Sequence, residues 1–236
     1  MKHSKGLILL SIVATVGLGG CSDDDDPVAL GPPGPAQAEA AIKNVHDTVV
    51  DPLVTAIEVL RNYLDTLSRS STRATCPDTS SACMSGTLSC SPTTAGWDLT
   101  FSVCDVVDAS PTLILDGGAE VTVTGASSFI LGLTDLSVNG SAGLNGTVTF
   151  ADDCHSSWDI TSDGSHVTAT IIACSDEIPQ PGSQLLIQIQ DAGQWIINFT
   201  FDGSSTATAL VTVDFTPIAS CAVDLDTFDA NCSDPI

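Results

Sequence analysis

Serine, histidine and aspartate together can build a hydrolase, in which a base takes the proton of a nucleophilic hydroxyl. All three occur here, but the Gly-x-Ser-x-Gly elbow does not, because Gly140-Ser141-Ala142-Gly143 has the wrong spacing. Two histidines, His155 and His166, fall in the C-terminal two thirds of the chain. If Asp163-Gly164 turns a hairpin with a three-residue loop, His166 faces residue 162. That is about seven residues, or roughly 23 Å, along the strand from His155, too far for one site. Both read as surface histidines. Carboxylates are the other candidate chemistry. Calcium takes about six to eight oxygens, and the best sources are Asp224, Asp226 and Asp229, or Asp152-Asp153 near Asp159. Neither run matches the twelve-residue calcium loop with its glycine and terminal glutamate. Solvated charge is the expectation, with no resident metal. Paired carboxylates could cleave glycosides, but aromatic platforms are scarce and Trp97, Trp158 and Trp195 lie in strand-like patterns that suit a core. No Gly-x-x-x-x-Gly-Lys-Ser/Thr phosphate loop occurs. No cofactor is expected, and catalysis is not.

Of the nine cysteines the first, Cys21, stands apart. Lys2 and Lys5 open a basic segment, Leu7 to Leu18 is an apolar run broken only by Ser11, Thr15 and Gly17, and Leu18-Gly19-Gly20-Cys21 closes it. The run is too short for a lasting bilayer span and sits where a signal-peptide core belongs. This segment resembles the signal and lipobox of bacterial lipoproteins, over about 21 residues. The resemblance implies cleavage before Cys21 and acyl (palmitate-type) chains on it. Several chains hold a protein to a membrane firmly where one does not. Ser22, rather than aspartate, follows the cysteine, which in Gram-negative lipoproteins implies sorting to the outer membrane. No domain family is recognised in the rest.

Setting Cys21 aside leaves Cys76, Cys83, Cys90, Cys104, Cys154, Cys174, Cys221 and Cys232, an even set in an exported chain. Four disulfides are expected. With no Cys-x-x-Cys pair, thiolate zinc is not. Cys154 and Cys174 are equidistant from Gly164, so the three-residue loop 163–165 sets them opposite each other, within disulfide reach. Cys221–Cys232 closes a short acidic loop. The other four cysteines allow three connectivities, left open.

The elements that must carry these residues follow from pattern. Residues 1–20 read as signal peptide and 21–35 as a lipidated tether. In the tether Asp23 to Asp26 stay solvated and Gly31-Pro32-Pro33-Gly34-Pro35 stiffens the chain. Residues 36–236 read as one globular domain. Within it 36–69 is helical, with apolar side chains at Ile42, Val45, Val49, Leu53, Ile57, Leu60, Leu64 and Leu67 on one face. Asp51-Pro52 either caps a second helix or kinks a continuous one.

From residue 75 the chemistry changes. Residues 74–236 hold 20 Asp+Glu and no Lys or Arg. Period-two alternation runs through Val121–Thr124, Thr147–Phe150, Val167–Ile171 and Ala209–Phe215, and in part through Leu185–Ile189, the pattern of half-buried strands. Asp116-Gly117, Asn139-Gly140, Asn145-Gly146, Asp163-Gly164 and Asp202-Gly203 read as hairpin turns. About ten strands follow from that spacing. The fold class is α+β, mainly β: an N-terminal helical segment packed on a large antiparallel meander, curled into a half-barrel.

The 236 residues carry 29 Asp+Glu against 6 Lys+Arg, a formal net charge of -23. That excludes nucleic acid as a partner. At 43% hydrophobic the chain is too apolar for a disordered acidic tail. Its expected partner is the membrane, through the lipid anchor; divalent cations are a further candidate, and the sequence names no protein or small-molecule partner. The reading is an outer-membrane lipoprotein with a non-catalytic binding or structural role. Two alternatives stand beside it: a carrier of an apolar ligand or lipid between helix and curved sheet, and a hydrolase of envelope polymers.

Overall fold

In the computed structural model the chain is described over residues 33–68 (backbone alone in 62–68), 76, 79, 82–107, 112–125, 127–152, 154–174, 178–190 and 193–235. The signal segment, Cys21, the tether up to residue 32, Asp153 and the side chains of Leu64 and Leu67 lie outside the described residues.

The helical segment runs without a break as α1 (Pro35–Val45), a π-helical turn (His46–Val50) and α2 (Asp51–Ser68). Pro35 starts it, at the position where a missing N–H costs nothing. Gly34 donates its N–H to Gln37 Oε1 at 3.1 Å. Of the two expectations for Asp51-Pro52, the continuous helix is found. Asp51 has helical dihedrals, φ -63 and ψ -47, so it is not a cap, and its N–H bonds back to His46 O across the wide turn. Proline cannot donate to the preceding turn and crowds its carbonyls, and the widened turn directly before Pro52 accommodates that defect. Ile42, Val45, Val49, Leu53, Ile57 and Leu60 are all buried, as the stripe requires.

The sheet contains β1 (Cys83–Pro92), β2 (Gly96–Val106), β3 (Ile114–Val123), β4 (Phe129–Val138), β5 (Leu144–Phe150) and β6 (His155–Ser162). It continues through β7 (Ser165–Ile172), β8 (Gln184–Gln190), β9 (Gln194–Phe201), β10 (Thr206–Val213), β11 (Thr216–Asp224) and β12 (Ala230–Ser233). All twelve pair antiparallel in sequence order, and β1 and β12 remain the two edges of an open half-barrel. Alternation works as expected. Leu99, Leu131, Val148, Val167, Ile187, Phe199 and Val211 point into the core, while Thr100, Thr147, Thr200 and Thr208 between them face out. The helix lies on the inner face, with α1 against β11 and β12 and α2 against β4.

Three local expectations are corrected. Among the described residues there are twelve strands rather than about ten. Asp116-Gly117 and Asn145-Gly146 are not hairpin tips; they lie inside β3 and β5. There each builds a β-bulge with the neighbouring strand. Asp116 Oδ1 accepts the N–H of Val103 at 3.2 Å, and Asn145 Oδ1 accepts that of Asp135 at 3.0 Å. Val103 (φ 45) and Asp135 (φ 47) are the bulged residues in left-handed backbone. Gly117 (φ +115) lets the Asp135 carbonyl approach, since a Cβ there would sit 2.2 Å from that oxygen. Bulges bend and twist a sheet, so these curl its first half around the helix. Third, the strand expected to run through Phe215 ends at Val213, and Asp214-Phe215 form the tip of the β10–β11 hairpin.

A meander places its turns alternately at two ends. One end carries the start of β1, the β2–β3, β4–β5, β6–β7 and β8–β9 connections and the Asp214-Phe215 tip. The N-terminus of α1 points the same way. Glu39 lies beside Cys232, and His46, farther along the helix, stacks on Phe228 in the opposite-end β11–β12 turn.

Candidate functional site

Cys76–Cys90, Cys83–Cys104, Cys154–Cys174 and Cys221–Cys232 are disulfides, which resolves the connectivity left open. Four disulfides mark an oxidising environment, hence an exported domain. Cys221 and Cys232 are cross-strand partners on β11 and β12. The Cys154–Cys174 bond forms, but the loop used to derive it is wrong. Ser162 pairs with Ser165, so the loop has two residues, Asp163 (φ 44) and Gly164 (φ 76). That register sets Cys154 opposite Ala173, whose N–H donates to Cys154 O at 2.8 Å. The two cysteines lie just past the ladder, which ends at His155 and Ile172, and their Cα atoms still come within 3.9 Å.

Each strand-domain histidine holds one aspartate. Asp152, in the β5–β6 turn beside Cys154, accepts the N–H groups of Cys154 and His155 at 2.8 Å each and meets His155 Nδ1 at 2.8 Å. The Cys154 N–H, then the His155 ring, hold its carboxyl below the usual 3.8. His166 Nε2 meets Asp159 Oδ1 at 2.8 Å across β6 and β7, on the outer face. His166 pairs with Thr161, six residues from His155 along β6, so about 20 Å separates the two histidines. The structure does not bring them together. Neither has a serine, threonine or cysteine side chain within hydrogen-bond distance among the described residues.

The acidic C-terminal turn uses its own ligand atoms. Asp224 Oδ1 accepts the N–H of Asp226 at 2.9 Å, the N–H of Thr227 at 3.1 Å and the Thr227 hydroxyl at 3.3 Å. Asp224 therefore organises the turn. Among the described residues no group of three or more His, Cys, Asp or Glu is placed to hold a metal, and the candidates Asp224, Asp226 and Asp229 do not gather into one. Asp202, in the β9–β10 turn, is likewise held low by Ser204, whose hydroxyl and N–H face it.

A shallow groove of about 480 Å³ lies at the β6–β7 turn, lined by Asn145, Thr161, Asp163, His166, Gln188 and Gln190 among others. Its lining side chains carry amides, hydroxyls, an imidazole and one carboxylate, and none belongs to a large apolar residue of the kind a lipid tail would pack on. Where helix and sheet meet, the described apolar side chains are shut off from solvent. Leu53, Leu60, Leu115, Leu131, Leu136, Leu144, Ile160 and Ile197 are all 0% exposed. Trp97 is in the core as expected, whereas Trp158 and Trp195 are half-buried at its margin.

A feature that pattern reading missed joins α1 to the sheet edge. Glu39 Oε1 accepts the Cys232 N–H at 2.9 Å, occupying a backbone donor of the last strand. Glu39 is the polar residue beside the buried Ala38, a position that composition alone gives no reason to single out. Among the described residues no helix is long and apolar enough to cross a membrane. No protein-family model, curated protein or solved structure matches the chain.

Proposed function

We propose that this is an exported lipoprotein, held at the outer membrane through acylated Cys21, whose body is a non-catalytic binding or structural scaffold. The observation that carries the reading is how the first element after the tether is fixed. α1 packs on β11 and β12, Glu39 bonds the Cys232 backbone, and Cys232 is cross-linked to Cys221. His46 stacks on Phe228 at 4.1 Å and secures the other end of α1. A pull on the tether passes into the sheet through a hydrogen bond and a covalent staple, as a permanent anchorage demands.

The burial of Leu53, Leu60 and Leu131, each 0% exposed, weighs against the carrier alternative, which needs a lined void at that place. The hydrolase alternative needs a nucleophile near a base; His155 and His166 are each engaged by one aspartate and lie apart. Metabolic labelling with palmitate tests the anchor. Wild type incorporates label and fractionates with the outer membrane, and Cys21→Ser incorporates none. Equal labelling of the two, or none in either, removes the reading.

A further inference from the structure

We propose that the sheet end bearing Phe215 docks directly on a lipid surface, with Phe215 seated among the headgroups and acyl boundary. Phe215 is 77% exposed, at the tip of a two-residue hairpin, with Asp214 at φ 48 and Phe215 at φ 65. Such tips favour Asn-Gly, because both residues need left-handed backbone. A bulky aromatic there is strained and gains no packing in return. The turn would form better without it, so the turn is not the reason it is there.

A second strained, exposed apolar residue lies toward the same end. Val103, β-branched and at φ 45, is 58% exposed in β2. Met84 in β1 and Ile114 in β3, on the two strands beside β2, are also exposed, and Ile114 is registered against Asp105 of β2. Four of the six large exposed hydrophobic residues among those described are thus gathered toward one end; Leu210 and Ile178 lie elsewhere.

The occupant is identified by where the chain enters and by charge. The proposal rests on the anchored reading above for direction: α1 begins toward this end, and Phe215 leads it. From Cys221 the tip lies six residues farther along β11, about 20 Å. From Glu39, level with Cys221 and Cys232, Pro35 lies four helical residues away, about 6 Å. Twelve residues from Cys21 to Pro33 reach at most about 40 Å, so an anchored Cys21 allows the tip to touch the bilayer. The same end carries Asp116, Asp135, Asp163 and Asp214, and no Lys or Arg occurs in 74–236. Docking must therefore be apolar, and must favour zwitterionic over anionic lipid. Basic membrane-surface segments behave in the opposite way.

Full-length mature chain carrying Cys21→Ser isolates the contact from the anchor. It is floated with phosphatidylcholine vesicles, with and without one third phosphatidylglycerol, and compared with Phe215→Asn in the same background. Asparagine tolerates left-handed backbone. The expected result is an unchanged or higher Tm together with roughly a tenfold to hundredfold weaker partitioning. Binding of the parent chain should be weaker on the anionic vesicles. As a second reading, Phe215→Cys is labelled with an environment-sensitive dye in the acylated chain on vesicles, against a label at Thr94→Cys at the opposite end. Emission should shift to the blue at 215 alone.

A label at 215 that stays in water on vesicles holding the acylated chain overturns the docking and leaves the anchor standing. Blue-shifted 215 in a chain without fatty acid does the reverse. A lowered Tm with unchanged flotation shows that Phe215 is structural. A change in oligomeric state with unchanged flotation assigns the tip to a second copy. Either overturns the proposal.

Discussion

Leu53→Ala separates a solid core from a ligand-sized void. Leu53 sits in α2, directly after the π-helical turn, and is 0% exposed. Truncation to alanine removes three carbons, worth about 2–2.5 kcal/mol in transfer alone. A core whose other members, such as Ala56, Leu60 and Leu131, are equally buried leaves little room to collapse into the space. The cavity term then brings the cost to about 3–5 kcal/mol. For a domain of this size each kcal/mol moves Tm by about 2–4 °C, so a fall of roughly 10 °C is expected. Leu210→Ala is the control: that side chain is 41% exposed on the outer face of β10, and its loss should cost under about 1 kcal/mol. Urea unfolding with the disulfides intact gives both values. If Leu53→Ala costs no more than Leu210→Ala, the helix is not packed as described and the carrier reading returns.

Gly117→Ala should destabilise by about 2 kcal/mol or more, since the new Cβ meets the Asp135 carbonyl at a φ of +115. Gly140→Ala, at φ +77 with nothing within 4 Å of the new Cβ, should cost about 1 kcal/mol; equal costs would remove the bulge argument. The Asp152 carboxyl should titrate below 3.8 by NMR, because the Cys154 N–H and then the His155 ring favour its charged form. A folded pKa below the unfolded one stabilises above about pH 4 and is lost as pH falls through the folded value. Asp152→Asn should accordingly lower stability above about pH 4 and change little below the folded pKa, so that the curve falls less steeply on its acid side. Tm should rise with NaCl, because a sheet region with 20 acidic side chains and no Lys or Arg repels itself until salt screens it. A flat response would contradict that.

Periodicity made the large elements legible. The stripe from Ile42 to Leu60 is a helix face, and the Thr/Val alternation of β5, β7 and β10 is a sheet buried on one side. Local chemistry was less decisive. Asx-Gly has the same dihedral freedom wherever it falls. Asp163-Gly164 turns a hairpin, whereas Asp116-Gly117 feeds a bulge, and the difference is made by Val103 on the adjacent strand. No local rule sees that partner. The Asp214-Phe215 tip failed for the opposite reason: the residues argue against a turn, and tertiary pairing of β10 with β11 overrides them. Pro217, the second residue of β11 and beside a register shift, was the available signal, since proline in strands is confined to their starts, edges and bulges. Cys154–Cys174 shows a pairing reached through a register off by one residue, because cysteines just outside the ladder escape its strict alternation. At the candidate sites, the separation of His155 and His166 was legible from strand rise. The engagement of Asp224 by its own turn and the Glu39 contact to Cys232 depend on geometry that spacing does not encode.

Intact-mass and N-terminal peptide analysis of the native protein, extracted from membranes, bears most directly on the account. A chain beginning at Cys21, heavier by its glyceryl and fatty-acyl groups and with its other eight cysteines blocked to alkylation, is the expected result. A different first residue without fatty acid, or freely reacting thiols, would contradict it.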